Sequence, residues 1–167
     1  MKRILFVCVG NTCRSPMAAA LAEAFLRTEG IEGVEVLSAG EAACEGMGAA
    51  PEAAEVMGEK GLDLSAHRAR FLREEMVAGA DLVLTMTWAQ RERLRELWPQ
   101  HADRIFVLKE YAAGGWALKD TGRTYDVADP LGGGVEVYRR CARELEDAVQ
   151  AALLRFLAED KEPAGNG

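Results

Sequence analysis

A cysteine and an arginine stand six positions apart in Cys8-Val9-Gly10-Asn11-Thr12-Cys13-Arg14-Ser15. Between them lies a glycine-containing turn, and Ser15-Pro16 follows. A loop wrapped at a helix N-terminus aims several backbone N–H groups at one point, which makes an anion site. Arg14 can clamp two phosphate oxygens with its planar fork. A thiol in such a positive field is stabilised as the thiolate, the form that attacks phosphorus. Cys8 therefore reads as a nucleophile, Arg14 as a phosphate clamp, and the amides from Val9 to Ser15 as the cradle. No Gly-Lys-Ser/Thr follows, so this is not a nucleotide P-loop. The second and third glycines of a dinucleotide fingerprint are also missing.

Thiolate attack needs a protonated leaving group. Asp129, before Pro130 in the glycine-rich stretch 112–134, is the candidate acid. A loop can carry a carboxylic acid over the pocket, and the same carboxylate can later activate water. Asp126 is the fallback and Asp120 the third choice, both otherwise solvated loop carboxylates. Alone, an Asp-Pro pair is only a turn signal.

These groups need elements to position them. Ile4 to Val9 is a continuous apolar run rich in β-branched residues, as in a strand buried on both faces. Ser15 fits an N-cap and Pro16 the first helical position, with the helix continuing over Ala18–Arg27. Val34–Leu37 reads as a second strand, closed by Ser38-Ala39-Gly40. Pro51–Lys60 reads as a helix ended by Gly61, and 62–71 lacks clean periodicity. Leu72–Ala78 is a short helix, Asp81–Met86 a third strand, and Gln90–Leu97 a helix stopped by Pro99. Ile105–Leu108 is the fourth strand and Val135–Leu157 one long helix. Strands alternating with helices predict an α/β fold, a single three-layer doubly wound domain over 1–158, with a polar, disordered tail at 159–167. Ligands of such folds bind outside the carboxyl ends of the strands. The nucleophile turn and the glycine-rich loop both fall there.

The 167 residues carry 20 Lys plus Arg against 27 Asp plus Glu, a net charge of −7. That balance argues against nucleic-acid or anionic-membrane partners. No apolar run approaches the ~18–20 residues that span a bilayer, and the N-terminus lacks a signal-peptide pattern. The expectation is a cytoplasmic protein whose four cysteines are catalytic or inert rather than bridged. Their spacing does not suit zinc, so no metal is expected. Cys13, five residues from Cys8, could trap an oxidised Cys8 as a disulfide. Cys44 and Cys141 read as inert, and His101 as exposed.

The stretch Cys8–Ser15 resembles the signature loop of the low-molecular-weight protein tyrosine phosphatases. The resemblance extends over nearly the whole chain through Ser38-Ala39-Gly40, His67-Arg68-Ala69-Arg70, Ala80–Met86 and Asp129-Pro130. It implies a flavodoxin-like four-stranded parallel sheet in the order 2-1-3-4 and hydrolysis of phosphate esters or phosphoramidates without metal or cofactor. It also implies phosphorylated protein substrates, inorganic phosphate as product, a monomer, and Asp129 as general acid. Asn11, Ser15, Ser38 and His67 match positions that brace the loop in the family, and Ser15 can also donate to the thiolate. For His67, a bracing role is weighed against general base catalysis, and bracing is the expectation.

Within the family, the chain resembles the bacterial protein arginine phosphatases. Thr12 replaces the larger aliphatic residue common in the tyrosine enzymes, and Leu131 replaces an aromatic. Asn11–Met17, Leu108–Tyr111 and Asp129-Pro130-x-Gly-Gly also look like that branch, although the branch often has an aromatic at position 131. Phosphotyrosine is the alternative substrate. Thiol-linked arsenate reduction would need relay cysteines, and 85–100 contains none. A phosphoprotein-binding module would have no use for Cys8 and Asp129 together.

Overall fold

The computed structural model describes residues 1–114 and 125–161. Four parallel strands form one sheet: β1 (Lys2–Cys8), β2 (Val34–Gly40), β3 (Leu82–Thr85) and β4 (Ile105–Val107). Their order is β2-β1-β3-β4, as the resemblance implies. β1 is central, and its residues from Ile4 onward are buried. Successive side chains of a strand face opposite sides, and the two cores divide accordingly. Ile4, Phe6 and Cys8 join the core under helices α1 (Arg14–Thr28), α2 (Pro51–Glu59) and α6 (Val135–Lys161). Leu5 and Val7 join the core under α3 (Glu74–Ala78) and α4 (Trp88–Leu97). The result is the three-layer α/β sandwich expected from the alternation of strands and helices. Among the described residues no helix is long and apolar enough to cross a membrane.

Several local expectations are corrected. α1 begins at Arg14 with Cys13 at the N-cap, and no side chain caps it. Ser15 is not the cap, because its hydroxyl is committed to Cys8. Pro16 still fits, since the first N–H groups of a helix have no intrahelical partner. α4 starts two residues early because Thr87 and Gln90 form a reciprocal capping box. β4 ends at Val107, and Leu108–Ala112 is a short helix, α5, whose Glu110 accepts from the Val107 N–H. α6 runs four residues beyond Leu157, and Glu159 in its last turn accepts from the Tyr111 hydroxyl and from Arg155. His101 is not exposed: its side chain keeps 15% of its accessible surface and its Nε2 lies 3.5 Å from Glu74.

Candidate active site

Cys8 is the last residue of β1, at the carboxyl edge of the sheet, and pairs in register with Gly40 at the end of β2. Gly40 is needed for the close approach of the next turn. A Cβ there would sit 2.5 Å from Val9 O and 2.8 Å from Asn11 N. The segment after β2 takes up the carbonyls of the turn. Glu41 N donates to Cys8 O at 3.0 Å, Ala42 N to Val9 O at 2.9 Å, and Ala50 N to Thr12 O at 2.9 Å. With those carbonyls held, the N–H groups of Gly10, Thr12 and Cys13 have no protein acceptor among the described residues. They are free to donate to an anion at the start of α1, where the helix dipole adds its own positive end.

Asn11 is the brace of this turn. It is fully buried and holds a left-handed backbone with φ 54°. Its N–H points at Cys8 Sγ at 3.2 Å, and its Nδ2 donates to Ser15 Oγ at 2.8 Å and Ser38 Oγ at 3.0 Å. Its Oδ1 accepts from Arg70 N at 3.0 Å. Its carbonyl accepts from His67 Nε2 at 2.7 Å, so that nitrogen carries a hydrogen. A strained left-handed residue persists only where its surroundings over-determine it. The Ser15 hydroxyl closes the network at 2.8 Å from Cys8 Sγ. A hydroxyl there can donate to a thiolate and ease its departure from phosphorus.

Arg14 opens α1 and is 3% exposed. A buried guanidinium needs partners. Its Nη1 donates to Val127 O at 2.8 Å, and its Nη2 lies 3.5 Å from Asp129 Oδ2. Val127 is tied to the end of β3 through its own N–H to Met86 O. Arg14 thus joins the nucleophile turn to the loop that carries Asp129. Asp129 itself is exposed, and its Oδ1 accepts from Leu131 N at 3.0 Å. Leu131 is 69% exposed and Thr12 half-buried. Asp126 is tied to the start of α4, where its Oδ1 accepts from Trp88 N, and no contact joins it to Arg14. Asp120 lies outside the described residues.

The remaining cysteines separate by environment. Cys13 Sγ lies 3.3 Å from the buried Tyr138 hydroxyl, and burial pushes its thiol up, with that hydrogen bond opposing. Burial pushes Cys141 up to about 11, with Arg14 opposing. Cys44 is exposed. Among the described residues no cluster of His, Cys, Asp and Glu could hold a metal ion.

The structure therefore brings together Cys8, Asn11, Arg14, Ser15, Ser38, His67 and Asp129. The sequence reading missed Val127, the Arg70 N–H and Tyr138. The first two act through backbone groups that any residue carries. Tyr138 is one of two aromatics on an amphipathic helix, with nothing local to single it out.

Residues 3–162 match the family model of the low molecular weight phosphotyrosine protein phosphatases. The chain belongs to this family. A protein-arginine-phosphatase of Geobacillus stearothermophilus is 44% identical over 157 residues, covering 94% of this chain and 97% of its own. A low molecular weight protein tyrosine phosphatase from T. tengcongensis superposes with a TM-score of 0.83 at 42% identity, covering 93% of this chain and 99% of its own. A Cys-to-Ser mutant of YwlE arginine phosphatase, bearing a phosphorylated active-site serine, superposes with a TM-score of 0.84 at 38% identity. It covers 95% of this chain and 97% of its own. As a member of the family the chain is a protein phosphatase, and phosphorylated protein is its substrate class.

Proposed function

We propose that this phosphatase removes phosphate from phosphoarginine in proteins, by a two-step displacement through Cys8. Cys8 attacks phosphorus in line with the leaving nitrogen. The free amides of the turn and the Arg14 guanidinium hold the equatorial oxygens, where negative charge accumulates. Asp129 protonates the leaving nitrogen, and its carboxylate then takes a proton from the water that hydrolyses the phosphocysteine. Ser15 donates to the departing thiolate, and Asn11, Ser38 and His67 hold the turn. The observation that carries this reading is the convergence on one buried arginine. Arg14 opens the helix that follows the Cys8 turn and lies 3.5 Å from the Asp129 carboxylate.

Thr12 supports the choice of phosphoarginine. Its half-buried hydroxyl can accept a hydrogen bond from a guanidinium, which presents only donors. Leu131 offers no aromatic face to a phosphotyrosine ring. The kinship with a protein named protein-arginine-phosphatase at 44% identity points the same way. Phosphotyrosine is the second reading, favoured by the tyrosine phosphatase structure at 42% identity. The reading includes action in the cytoplasm as a monomer, and Cys13 as the trap for an oxidised Cys8.

The test compares phosphoarginine and phosphotyrosine peptides as substrates of the wild type and of Thr12→Ile. A hydrogen bond to a charged group contributes ~1.5–3 kcal/mol. Thr12→Ile should accordingly lower the phosphoarginine-to-phosphotyrosine ratio of kcat/KM by about tenfold or more. A wild type that prefers phosphotyrosine, together with an unchanged ratio in Thr12→Ile, would refute the substrate assignment.

A further inference from the structure

A cleft of about 520 Å³ opens beside the nucleophile turn, between α1 with β2 on one side and residues 63–70 on the other. Neither Cys8, Arg14 nor Asp129 lines it, so it is separate from the phosphate pocket. Its volume falls in the range of small-molecule sites. The cleft exists because α1 presents the short side chains of Ala19 and Ala20 to it, with Leu64 opposite.

Its charges are unevenly satisfied. Of the three acids that line it, Asp63 accepts from Ser65 N, and Glu45 accepts from Phe71 N and faces Arg73 at 3.6 Å. The third, Glu23, lies one turn before Arg27 on α1, and burial pushes its carboxyl up against the pull of that arginine. The cations are different. Arg68 and Arg70 are exposed and pair with no carboxylate among the described residues. Arg68 donates only to the carbonyls of Ser65 and His67. Arg68 and Arg70 therefore line the cleft without a carboxylate partner among the described residues, beside the apolar side chains of Ala19, Ala20 and Leu64, features that suit an anion with an apolar body.

The cleft also touches the brace of the active site. Ser38, His67 and Arg70 line it, and each is hydrogen-bonded to Asn11. Asn11 in turn contacts both Cys8 Sγ and Ser15 Oγ. A ligand that shifts those three residues moves the groups that set the position of the nucleophile.

We propose that this cleft is an effector site for a small amphiphilic carboxylate, bound by Arg68 and Arg70 with its apolar part over Ala19, Ala20 and Leu64. Occupancy is coupled through Asn11 to the position of Cys8. A carboxylate suits the site because it pairs bidentately with arginine and is not itself a substrate of the neighbouring pocket. Because the ligand does not compete for the phosphate pocket but shifts Asn11, which braces Cys8 and the turn around it, it changes kcat rather than raising KM alone.

The probe is 4-phenylbutyrate. Binding is followed by the backbone amide NMR shifts of Ala19, Ala20 and His67 in Cys8→Ser protein, where the catalytic role of Cys8 plays no part. Turnover is followed with p-nitrophenyl phosphate and wild-type enzyme, so the coupling alone rests on the reading of Cys8. The proposal predicts saturable shifts that persist with the phosphate pocket filled by inorganic phosphate, and a change in kcat of about fivefold. Ala20→Leu, which fills the cleft, should abolish both effects while keeping basal kcat, and Arg68→Ala should weaken binding. Three results overturn it: no saturable shifts, a rise in KM alone, or unchanged binding in Ala20→Leu. Saturable binding with unchanged kcat overturns the coupling to Cys8.

Discussion

Gly40→Ala should damage catalysis from a residue that never meets the substrate. The added Cβ would lie 2.5 Å from Val9 O, 2.8 Å from Asn11 N and 2.9 Å from the Ala43 Cβ. The two closest atoms are backbone, so no side-chain rotation relieves the clash. Reaching an ordinary contact of about 3.4 Å requires the turn to retreat by roughly 0.5–1 Å. Overpacking of this kind costs about 1–3 kcal/mol of stability. The functional cost should be larger, because a displacement of about 1 Å at a reacting centre can cost roughly a hundredfold in rate. The moved atoms belong to Val9 and Asn11, on either side of the free Gly10 N–H. The assay is kcat for p-nitrophenyl phosphate beside thermal unfolding, with Gly58→Ala as control. Gly58 lies in α2 with nothing within 4 Å of its Cβ position, so alanine there should be neutral or stabilising by about 0.5–1 kcal/mol. A folded Gly40→Ala enzyme with kcat within about twofold of wild type would refute the claim that the turn geometry sets the rate.

Asp129→Ala should lower kcat by about 10²–10⁴-fold while leaving phosphate inhibition within a few fold, since general acid–base help has that size. Isothermal titration with phosphate beside turnover separates the two, and an unchanged rate on phosphoarginine peptides would remove Asp129 as the acid. Cys141 should resist iodoacetamide in the folded protein at pH 8 and react after denaturation, because burial holds it up at about 11. The same shift has a stability consequence. The unfolded thiol ionises near 9 while the folded one stays protonated, so this group's stabilisation is full below pH 9 and is lost as pH rises through 11. Cys141→Ala should flatten the fall in chemical-denaturation stability between those values, and an equally steep fall would contradict the assignment. Peroxide should yield a Cys8–Cys13 linked peptide by mass spectrometry, and its absence from fully inactivated enzyme would remove Cys13 as the trap.

The parts of the site that one local stretch encodes were legible from sequence. Cys8, the free amides and Arg14 lie within eight residues, and strand β1 announces itself by its buried apolar run. The sheet order came from resemblance, since periodicity gives strands but not their neighbours. What sequence misjudged was the use of side chains that could serve two ends. Ser15 looks like a helix cap and is instead held by Cys8 and Asn11, 2.8 Å from each. Asp126 looks like a free loop acid and instead holds the start of α4. Thr87-x-x-Gln90 was a readable capping box that the apolar pattern alone overlooked. Gly40 looks like a strand end, and only the parallel pairing with Cys8 reveals why no larger residue fits.

The most direct test of the central claim is rapid-quench trapping with a phosphoarginine peptide labelled in its phosphate. The account predicts transient label on the peptide containing Cys8, at a level that no Cys8→Ser enzyme reaches with turnover. Labelled product released with no labelled protein at any time, under conditions where hydrolysis of the phosphocysteine limits the rate, would contradict it.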